Sequence, residues 1–217
     1  MTALRLTKQS QDGEHQIAEQ RRPFDPLQRE KDPVLIEATR IARELLDAKK
    51  VMIPDFPLPG TRYLDFYRTF DRHPEVRAAA VRCLKERYAG FAIDAIAGIG
   101  NGAFGLGSCL ALILDLPFHP IRKAGDTVYD ALSTSIGMVY AKRDLTIASD
   151  IVVKESNIVL VDDTIATGGT IKGGLELLHR AGAKVIEVAT LFETISKSGR
   201  TEIAPMPLFS ILSRDSF

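Results

Sequence analysis

The chain has 217 residues, and its 28 lysine and arginine residues are balanced by 28 aspartate and glutamate residues, so the formal net charge is zero. The apolar fraction of 45% is ordinary for a globular protein, and the length is ample for one domain with a hydrophobic core. Zero net charge argues against proteins that coat nucleic acid or an anionic membrane, because that affinity comes from accumulated lysine and arginine. It leaves room for a compact anionic ligand, since backbone N–H groups bind phosphate without side-chain charge.

Cysteine usage and the chain termini favour a cytoplasmic protein. Cys83 and Cys109 lie in apolar periodic stretches without zinc-binding spacing, which predicts free thiols in a reducing compartment. The N-terminus has no targeting pattern, and the apolar stretch 103–118 is broken by glycines and an aspartate, so no membrane span is predicted. We therefore expect no membrane and no nucleic-acid partner. Residues 1–31 carry few large apolar residues and are predicted to be a flexible extension of a domain that spans residues 32–217.

The first predicted elements are two helices separated by an extended arm. Asp32 and Pro33 supply an N-cap and a first-turn proline for a helix whose apolar residues recur at helical spacing up to Leu46. The three prolines within residues 53–60 exclude a helix there and predict an extended arm with a turn at its end. A second helix is predicted over residues 74–87.

Strands alternate with helices in the rest of the chain. Strands are predicted over residues 91–99, 117–121, 157–161, 184–191 and 208–212. Helices are predicted over residues 104–114 and 170–180, and residues 124–147 are predicted to form a long excursion or hairpin. This alternation predicts an α/β fold with a mainly parallel central sheet flanked by helices, in which ligands bind at the carboxyl ends of the strands.

The strongest functional signal is residues 158–170, which read IVLVDDTIATGGT. A hydrophobic strand is followed by a loop of small and hydroxyl residues that leads into a helix N-terminus. Gly168 and Gly169 allow backbone N–H groups to converge on an anion, and Thr167 and Thr170 add hydroxyl donors. The helix dipole adds about half a positive charge at the same point. This pattern predicts a phosphate site, although it lacks the GxxxxGK[ST] spacing of a nucleoside-triphosphate P-loop.

Two adjacent acids, Asp162 and Asp163, stand between the strand and the loop of this motif. Carboxylates repel a phosphate, so the pair indicates a second role: contact with ribose hydroxyls, with Mg²⁺, or with positive charge that develops on a sugar carbon. The structural alternative is that Asp162 caps the loop and Asp163 is solvated. The complete motif favours a functional role.

The string VDDTIATGGT resembles the signature with which type I phosphoribosyltransferases bind 5-phosphoribosyl-1-pyrophosphate, and the chain is most similar to the adenine-specific members. The resemblance extends over residues 35–212, through the segments IPDFPLPG, IDAIAGI, IRKAG, LFETISKSGR and PLFSIL. It implies that 5-phosphoribosyl is transferred to a purine base, adenine first, with release of pyrophosphate. It also implies a mobile hood at residues 124–147, Mg²⁺ carried with the donor, and a homodimer.

The resemblance further implies roles for individual residues. The 5′-phosphate is expected in the loop from Ala166 to Thr170, and Asp162 and Asp163 are expected against the ribose hydroxyls, where they stabilise an oxocarbenium-like transition state at C1. The implied pyrophosphate ligands are Gly100, Asn101, Arg122 and Lys123, and the implied base contacts are Tyr63 and Leu64. No protein ligand to the metal is assigned, because Mg²⁺ would be held by the oxygens of the donor. An ordinary solvated basic pair is the alternative for the two cations.

Several positions depart from the family pattern. Gly102 occupies the position at which the pyrophosphate loop of the family usually has arginine, Val139 replaces a hood glutamate, and Asp126 replaces a lysine. Residues 63–65 read Tyr-Leu-Asp where many members have Phe-Arg-Asp. These changes preserve the ribose-phosphate half of the site and leave three alternatives open: a different acceptor base, a slow or inactive paralogue, and a nucleotide-sensing regulator.

Two further patterns have competing interpretations. Residues 100–105 match GxGxxG after a predicted strand, which is typical of dinucleotide binding. The next strand, however, ends in Arg122 and Lys123 rather than in the acid that binds the ribose of NAD, so this role is disfavoured. Four aromatic residues that follow the proline arm predict core or dimer packing, with base stacking as the alternative: Tyr63, Phe66, Tyr67 and Phe70.

Overall fold

The structure is a computed structural model that describes residues 21–56, 58–60, 62–123, 130–138 and 141–216. The helices of this part of the chain are α1 (Pro26–Arg29), α2 (Pro33–Lys49), α3 (Phe66–Asp71), α4 (Pro74–Tyr88), α5 (Gly100–Leu114), α6 (Gly169–Arg180) and α7 (Gly199–Glu202). Its strands are β1 (Met52–Pro54), β2 (Arg62–Leu64), β3 (Ala95–Ile99), β4 (Phe118–Lys123), β5 (Ala131–Met138), β6 (Ala141–Ala148), β7 (Asn157–Ile165), β8 (Lys184–Thr194) and β9 (Leu208–Arg214). None of these helices is long and apolar enough to cross a membrane.

A seven-stranded sheet with the order β5-β6-β4-β3-β7-β8-β9 forms the centre of the described chain. Strands β4, β3, β7, β8 and β9 are parallel, whereas the β5–β6 hairpin continues the sheet antiparallel to β4. The predicted α/β fold with a mainly parallel sheet is confirmed. Because β3 and β7 are parallel neighbours, the turns that follow them lie side by side at the carboxyl edge of the sheet.

Helices cover both faces of the sheet. Helices α2, α4 and α5 pack on one face with Val159 and Val161 of β7, and α6 packs on the other face with Leu160. A strand segment buried on both faces is therefore apolar at every position, as β7 is from Ile158 to Val161. Helix α6 approaches the sheet closely, since a Cβ on Gly174 would lie 2.5 Å from the Cδ1 atom of Ile99.

Part of the predicted N-terminal extension belongs to the packed domain. The ring centroid of Phe24 lies 5.5 Å from that of Tyr88, and Arg29 donates hydrogen bonds to carbonyl oxygens at the end of α4. The prediction of a flexible extension is therefore wrong for residues 21–31. Their few apolar side chains find a partner surface far away in sequence, which a local pattern cannot reveal. Residues 1–20 lie outside the described residues.

Strand β7 and helix α5 are longer than predicted, whereas β3 covers only Ala95–Ile99 of the strand predicted over residues 91–99. Strand β7 continues past residue 161 to Ile165, because its pairing with β8 continues to that residue. Helix α5 begins at Gly100, directly after β3, instead of at residue 104. Pairing with a neighbouring strand thus outweighs the low strand propensity of aspartate. Asp162 and Asp163 consequently lie within β7 and not after it.

The β5–β6 hairpin is the excursion predicted for residues 124–147. Its inner strand, β6, pairs with Arg122 and Lys123 at the end of β4, so the hairpin extends the central sheet beside the carboxyl ends of the parallel strands. Asp126 and Val139, two of the positions that depart from the family pattern, lie outside the described residues. Mobility of this hood stays a prediction.

Candidate phosphate and ribose site

The turn between β7 and α6 exposes an uncapped helix N-terminus. Gly168 is the N-cap residue, with a left-handed φ of 83°, and no side chain caps the helix. The first amide with an intrahelical bond is that of Lys172, whose N–H donates to the carbonyl oxygen of Gly168 at 2.9 Å. The preceding N–H groups of the helix have no intrahelical partner. Free N–H groups at the positive end of a twelve-residue helix form a favourable environment for an anion.

The residues predicted to bind phosphate are contiguous around this N-terminus. Ala166 is half-buried and Thr167 is exposed in the turn, while Gly169 and Thr170 are half-buried in the first turn of α6. One anion in front of the turn can therefore meet backbone N–H groups and the two threonine hydroxyls together. A lysine is not needed, and Lys172 instead pairs with Glu202 at 2.6 Å.

The structure gives a reason for glycine at position 168 that the sequence did not indicate. A Cβ on Gly168 would lie 2.9 Å from the carbonyl oxygen of Gly199 and 3.2 Å from the Cβ atom of Glu202. Access of an anion to the backbone was the expected reason for glycine here. Close packing of the turn against α7 is a second one. The only sequence signal for α7 was that its first two residues belong to the LFETISKSGR segment, to which no role was assigned.

Asp162 and Asp163 form a desolvated pair beside the turn, in which Asp162 is buried and Asp163 is half-buried. Asp162 is 5% exposed, Asp163 is half-buried, and the N–H of Asp163 donates to the Oδ1 atom of Asp162 at 2.9 Å. Burial, together with the charge of Asp163, raises the pKa of Asp162 well above its ordinary value. Burial also raises the pKa of Asp163, which is not the solvated residue of the structural alternative. Two neighbouring carboxyls in a desolvated site resist double ionisation, so the pair favours a ligand that brings positive charge or hydrogen-bond donors.

Gly102 lies directly against Asp163. A Cβ on Gly102 would overlap with the Oδ2 atom of Asp163 and would lie 2.6 Å from its Cγ atom. The glycine therefore provides the space for the Asp163 carboxylate, and this packing accounts for one glycine of the GxGxxG match. Gly100 opens α5 with a left-handed φ of 63°, and Asn101 is exposed beside it.

The two predicted pyrophosphate cations stand at the end of the neighbouring strand. Arg122 and Lys123 are exposed at the end of β4, next to the turn between β3 and α5. The guanidinium of Arg122 lies 5.7 Å from the ring centroid of Phe104, so α5 orients at least one of the two cations. Both are available to an anion in front of this turn.

The aromatic residues after the proline arm divide into two groups. Phe66 and Phe70 are buried and stacked at a centroid distance of 4.9 Å, which confirms core packing for these two. Tyr63 and Tyr67 are exposed, and burial and then the charge of Asp163 raise the pKa of both phenols. Leu64, predicted as a base contact with Tyr63, is half-buried and packs against the core, and its contact with a base stays a prediction. Both tyrosines are therefore near enough to Asp163 for its charge to act on their phenols.

The described residues contain no group of three or more histidine, cysteine, aspartate or glutamate side chains that could hold a metal ion. The aspartate pair supplies only two adjacent carboxyls at this site. Two adjacent carboxyls are compatible with a Mg²⁺ ion that is bound mainly by the oxygens of a ligand.

Comparison with family models identifies residues 67–216 as a phosphoribosyl transferase domain. Among curated proteins, the human adenine phosphoribosyltransferase is 37% identical over 172 residues, which are 78% of this chain and 95% of the human protein. The adenine phosphoribosyltransferase of Maridesulfovibrio salexigens is 34% identical over 160 residues, 74% of this chain and 94% of that protein.

Solved structures of adenine phosphoribosyltransferases are also similar to this chain. The adenine phosphoribosyltransferase of Rhodothermus marinus superposes with a TM-score of 0.74 at 33% identity, over 80% of this chain and 98% of that one. The Saccharomyces cerevisiae enzyme, solved in complex with an imino-altritol bisphosphate and adenine, superposes with a TM-score of 0.73 at 28% identity, over 80% of this chain and 99% of that one.

Proposed function

Because the chain belongs to the phosphoribosyltransferase family, we propose that it transfers the 5-phosphoribosyl group of 5-phosphoribosyl-1-pyrophosphate to adenine, yielding AMP and pyrophosphate. The observation that carries the proposal is the uncapped N-terminus of α6 beside the pair of buried Asp162 and half-buried Asp163, within the matched family domain. Such a site suits a ligand that is anionic at one end and becomes cationic at its reacting centre.

The turn from Ala166 to Thr170 binds the 5′-phosphate in this proposal. Free backbone N–H groups, the positive end of α6 and the hydroxyls of Thr167 and Thr170 supply the donors. Backbone donors are fixed by the fold and need no reorganisation when the phosphate arrives. The phosphate thus anchors the ribose, and it orients C1 relative to the aspartate pair.

Asp162 and Asp163 face the ribose ring and accept hydrogen bonds from its hydroxyls. As the bond between C1 and pyrophosphate breaks, C1 gains positive charge, and a fixed carboxylate stabilises that charge more than it stabilises the ground state. Burial makes this interaction stronger than it would be in water. The cost of holding the pair desolvated before the donor binds is visible in the raised pKa of both carboxyls.

Pyrophosphate leaves toward the β3–α5 turn, where Gly100 and Asn101 supply the surface and Arg122 and Lys123 supply positive charge. Mg²⁺, bound by the donor oxygens, would neutralise charge on the leaving pyrophosphate. The two cations of β4 hold the pyrophosphate oxygens in place. Gly102 carries no cation of its own, so Arg122 and Lys123 matter more here than they would beside an arginine at residue 102.

Tyr63 and Tyr67 hold the acceptor base, by stacking of exposed rings next to the aspartate pair. Adenine is the first choice because the relatives described above are named adenine phosphoribosyltransferases. The same names favour a transferase over a nucleotide-sensing regulator or an inactive paralogue.

The proposal includes a homodimer in the cytoplasm. On α5, Leu112 is 83% exposed and Ile113 is 48% exposed, and neighbouring exposed apolar side chains are typical of a surface that a partner covers. Cys83 and Cys109 are free thiols, as expected in a reducing compartment. Sedimentation of the purified protein gives the oligomeric state directly.

Turnover tests the proposed reaction. The protein is mixed with 5-phosphoribosyl-1-pyrophosphate, Mg²⁺ and one base from a panel, and both pyrophosphate and nucleotide are measured. Release of both products with adenine alone supports the proposal. Release with another base but not with adenine overturns the substrate assignment. Tight AMP binding without release from any base overturns the enzymatic role.

A further inference from the structure

Helix α7 crosses the rear of the phosphate turn at backbone contact distance. A Cβ on Gly199 would overlap with the carbonyl oxygen of Ala166, and it would lie 2.7 Å from the Cγ1 atom of Ile165 and 3.0 Å from the carbonyl carbon of Ala166. Gly199 is buried, and its φ lies outside the left-handed region. Glycine is therefore required at this position by the approach of two backbones and not by local conformation.

The contact is reciprocal. The carbonyl oxygen of Gly199 would lie 2.9 Å from a Cβ on Gly168, the N-cap residue of α6. Two glycines, one in the turn and one in α7, thus face each other across a single crossing. The position of the turn backbone, and with it the direction of its N–H groups, is set from behind by the position of α7.

Helix α7 is itself fixed by a charged contact with the sheet. The Arg200 guanidinium binds both carboxylate oxygens of Glu193 at 2.7 and 2.8 Å, and it donates to the carbonyl oxygen of Leu208 at 2.8 Å. Glu193 is 4% exposed, and its carboxylate also accepts a hydrogen bond from Ser213. A bidentate arginine on a buried carboxylate is a directional contact, which ties α7 to β8 and β9.

We propose that the segment from Ser198 to Glu202 is a positioning element for the 5′-phosphate. In this segment Gly199 fixes the position of the phosphate-turn backbone, and Arg200 anchors Gly199 to the sheet. The inference rests on the proposed function, because it takes the turn to be the phosphate site. It assigns these residues to the recognition of one chemical group, the 5′-phosphate, and not to the base or to the reacting centre.

Affinity for the phosphate is separable from affinity for the rest of the nucleotide. The ratio of the dissociation constants of adenosine and AMP measures what the 5′-phosphate contributes, and binding of both ligands can be followed without turnover. In Gly199→Ala the turn must shift, so we expect this ratio to fall about tenfold, the effect of losing one hydrogen bond to a charged group. Affinity for adenosine should change little.

Gly107→Ala is the matched control. A Cβ on Gly107 would lie 2.5 Å from the Cε2 atom of Phe118, so this variant also crowds the core, but in α5 and away from the phosphate turn. A second test is Arg200→Lys, which keeps the charge and removes the bidentate geometry. We expect Arg200→Lys to lower the ratio by a smaller factor, about threefold. This variant tests the positioning role if Gly199→Ala does not fold.

The outcomes separate the inference from the proposed function. If Gly199→Ala folds, a lower ratio in this variant with an unchanged ratio in Gly107→Ala supports the positioning role, and an unchanged ratio overturns it. If Gly199→Ala does not fold, the ratio in Arg200→Lys decides in the same way. An equal fall in the Gly107→Ala control also overturns the positioning role, while AMP binding by the wild-type protein stands. Equal affinity of the wild-type protein for adenosine and AMP would instead refute the phosphate site itself.

Discussion

Two strand-to-helix turns stand side by side at the carboxyl edge of the sheet, and they differ in what they offer a ligand. The β7–α6 turn presents an uncapped helix end, hydroxyl side chains and a glycine supported from behind by α7. The β3–α5 turn also opens its helix with glycine, but the carboxylate of Asp163 lies against its third residue, Gly102. One turn is prepared for an anion, whereas the other is adjacent to an acid.

The contrast shows that the glycines at the two turns have different physical roles. Gly168 and Gly199 allow two backbones to cross, so that N–H groups are fixed in front of the turn. Gly102 makes room for a carboxylate, which lowers the attraction of its own turn for pyrophosphate. Positive charge on that side comes from the next strand, through Arg122 and Lys123.

Removing one acid of the Asp162–Asp163 pair should produce the largest loss of activity. In Asp162→Asn we expect kcat to fall about 10²- to 10³-fold, as when a preorganised electrostatic contact to a transition state is lost. Steady-state kinetics with saturating donor measure this loss. Asp94→Asn, at the opposite end of the sheet, is the matched control and should retain wild-type kcat. Wild-type activity in Asp162→Asn would refute the role of the pair.

The same variant should be at least as stable as the wild-type protein at neutral pH. The folded-state pKa of Asp162 is raised by burial and by Asp163, so the neutral carboxyl is favoured by folding. Its stabilising contribution is complete below the unfolded-state pKa and is lost as pH rises through the folded-state pKa. Urea unfolding across that pH window should show a decline in the wild-type protein that is smaller in Asp162→Asn. A steeper decline in the variant would contradict the direction of the shift.

Filling the space beside Asp163 should have an intermediate effect. The methyl group of Gly102→Ala overlaps with the Asp163 carboxylate, and we expect kcat/KM for the donor to fall about tenfold as the acid is displaced. Gly105→Ala lies one turn further along α5, where a Cβ meets only a Phe70 ring atom at 3.9 Å, and it should leave kcat/KM near the wild-type value. Equal kinetics of the two variants would show that the contact between Gly102 and Asp163 is unimportant.

The smallest effect is expected for a single hydroxyl of the phosphate turn. Thr167→Val removes one donor while the backbone N–H groups remain, so KM for the donor should rise about fivefold with little change in kcat, as expected for about 1 kcal/mol. Thr39→Val, whose hydroxyl contacts the Cys83 sulfur at 3.3 Å, is the control and should not alter KM. A large fall in kcat for Thr167→Val would contradict a role limited to phosphate binding.

The sequence contained most of the site because its determinants are local. The run from Ile158 to Thr170 specifies a buried strand, two acids, a glycine turn and a helix start, and each of these follows from residue type and order. Pairing with β8 extended the strand through both acids, which is a tertiary effect that no local propensity contains. The contact of Gly199 with the phosphate turn and the contact of Gly102 with Asp163 join segments that are distant in sequence. These two contacts could therefore be identified only in the structure.

A crystal structure of the protein with AMP tests the contrast between the two turns most directly. The account predicts that the 5′-phosphate oxygens lie within hydrogen-bond distance, about 3 Å, of the backbone N–H groups between Ala166 and Ile171, with the ribose hydroxyls toward Asp162 and Asp163. A phosphate bound instead at the turn from Gly100 to Gly102 would contradict it.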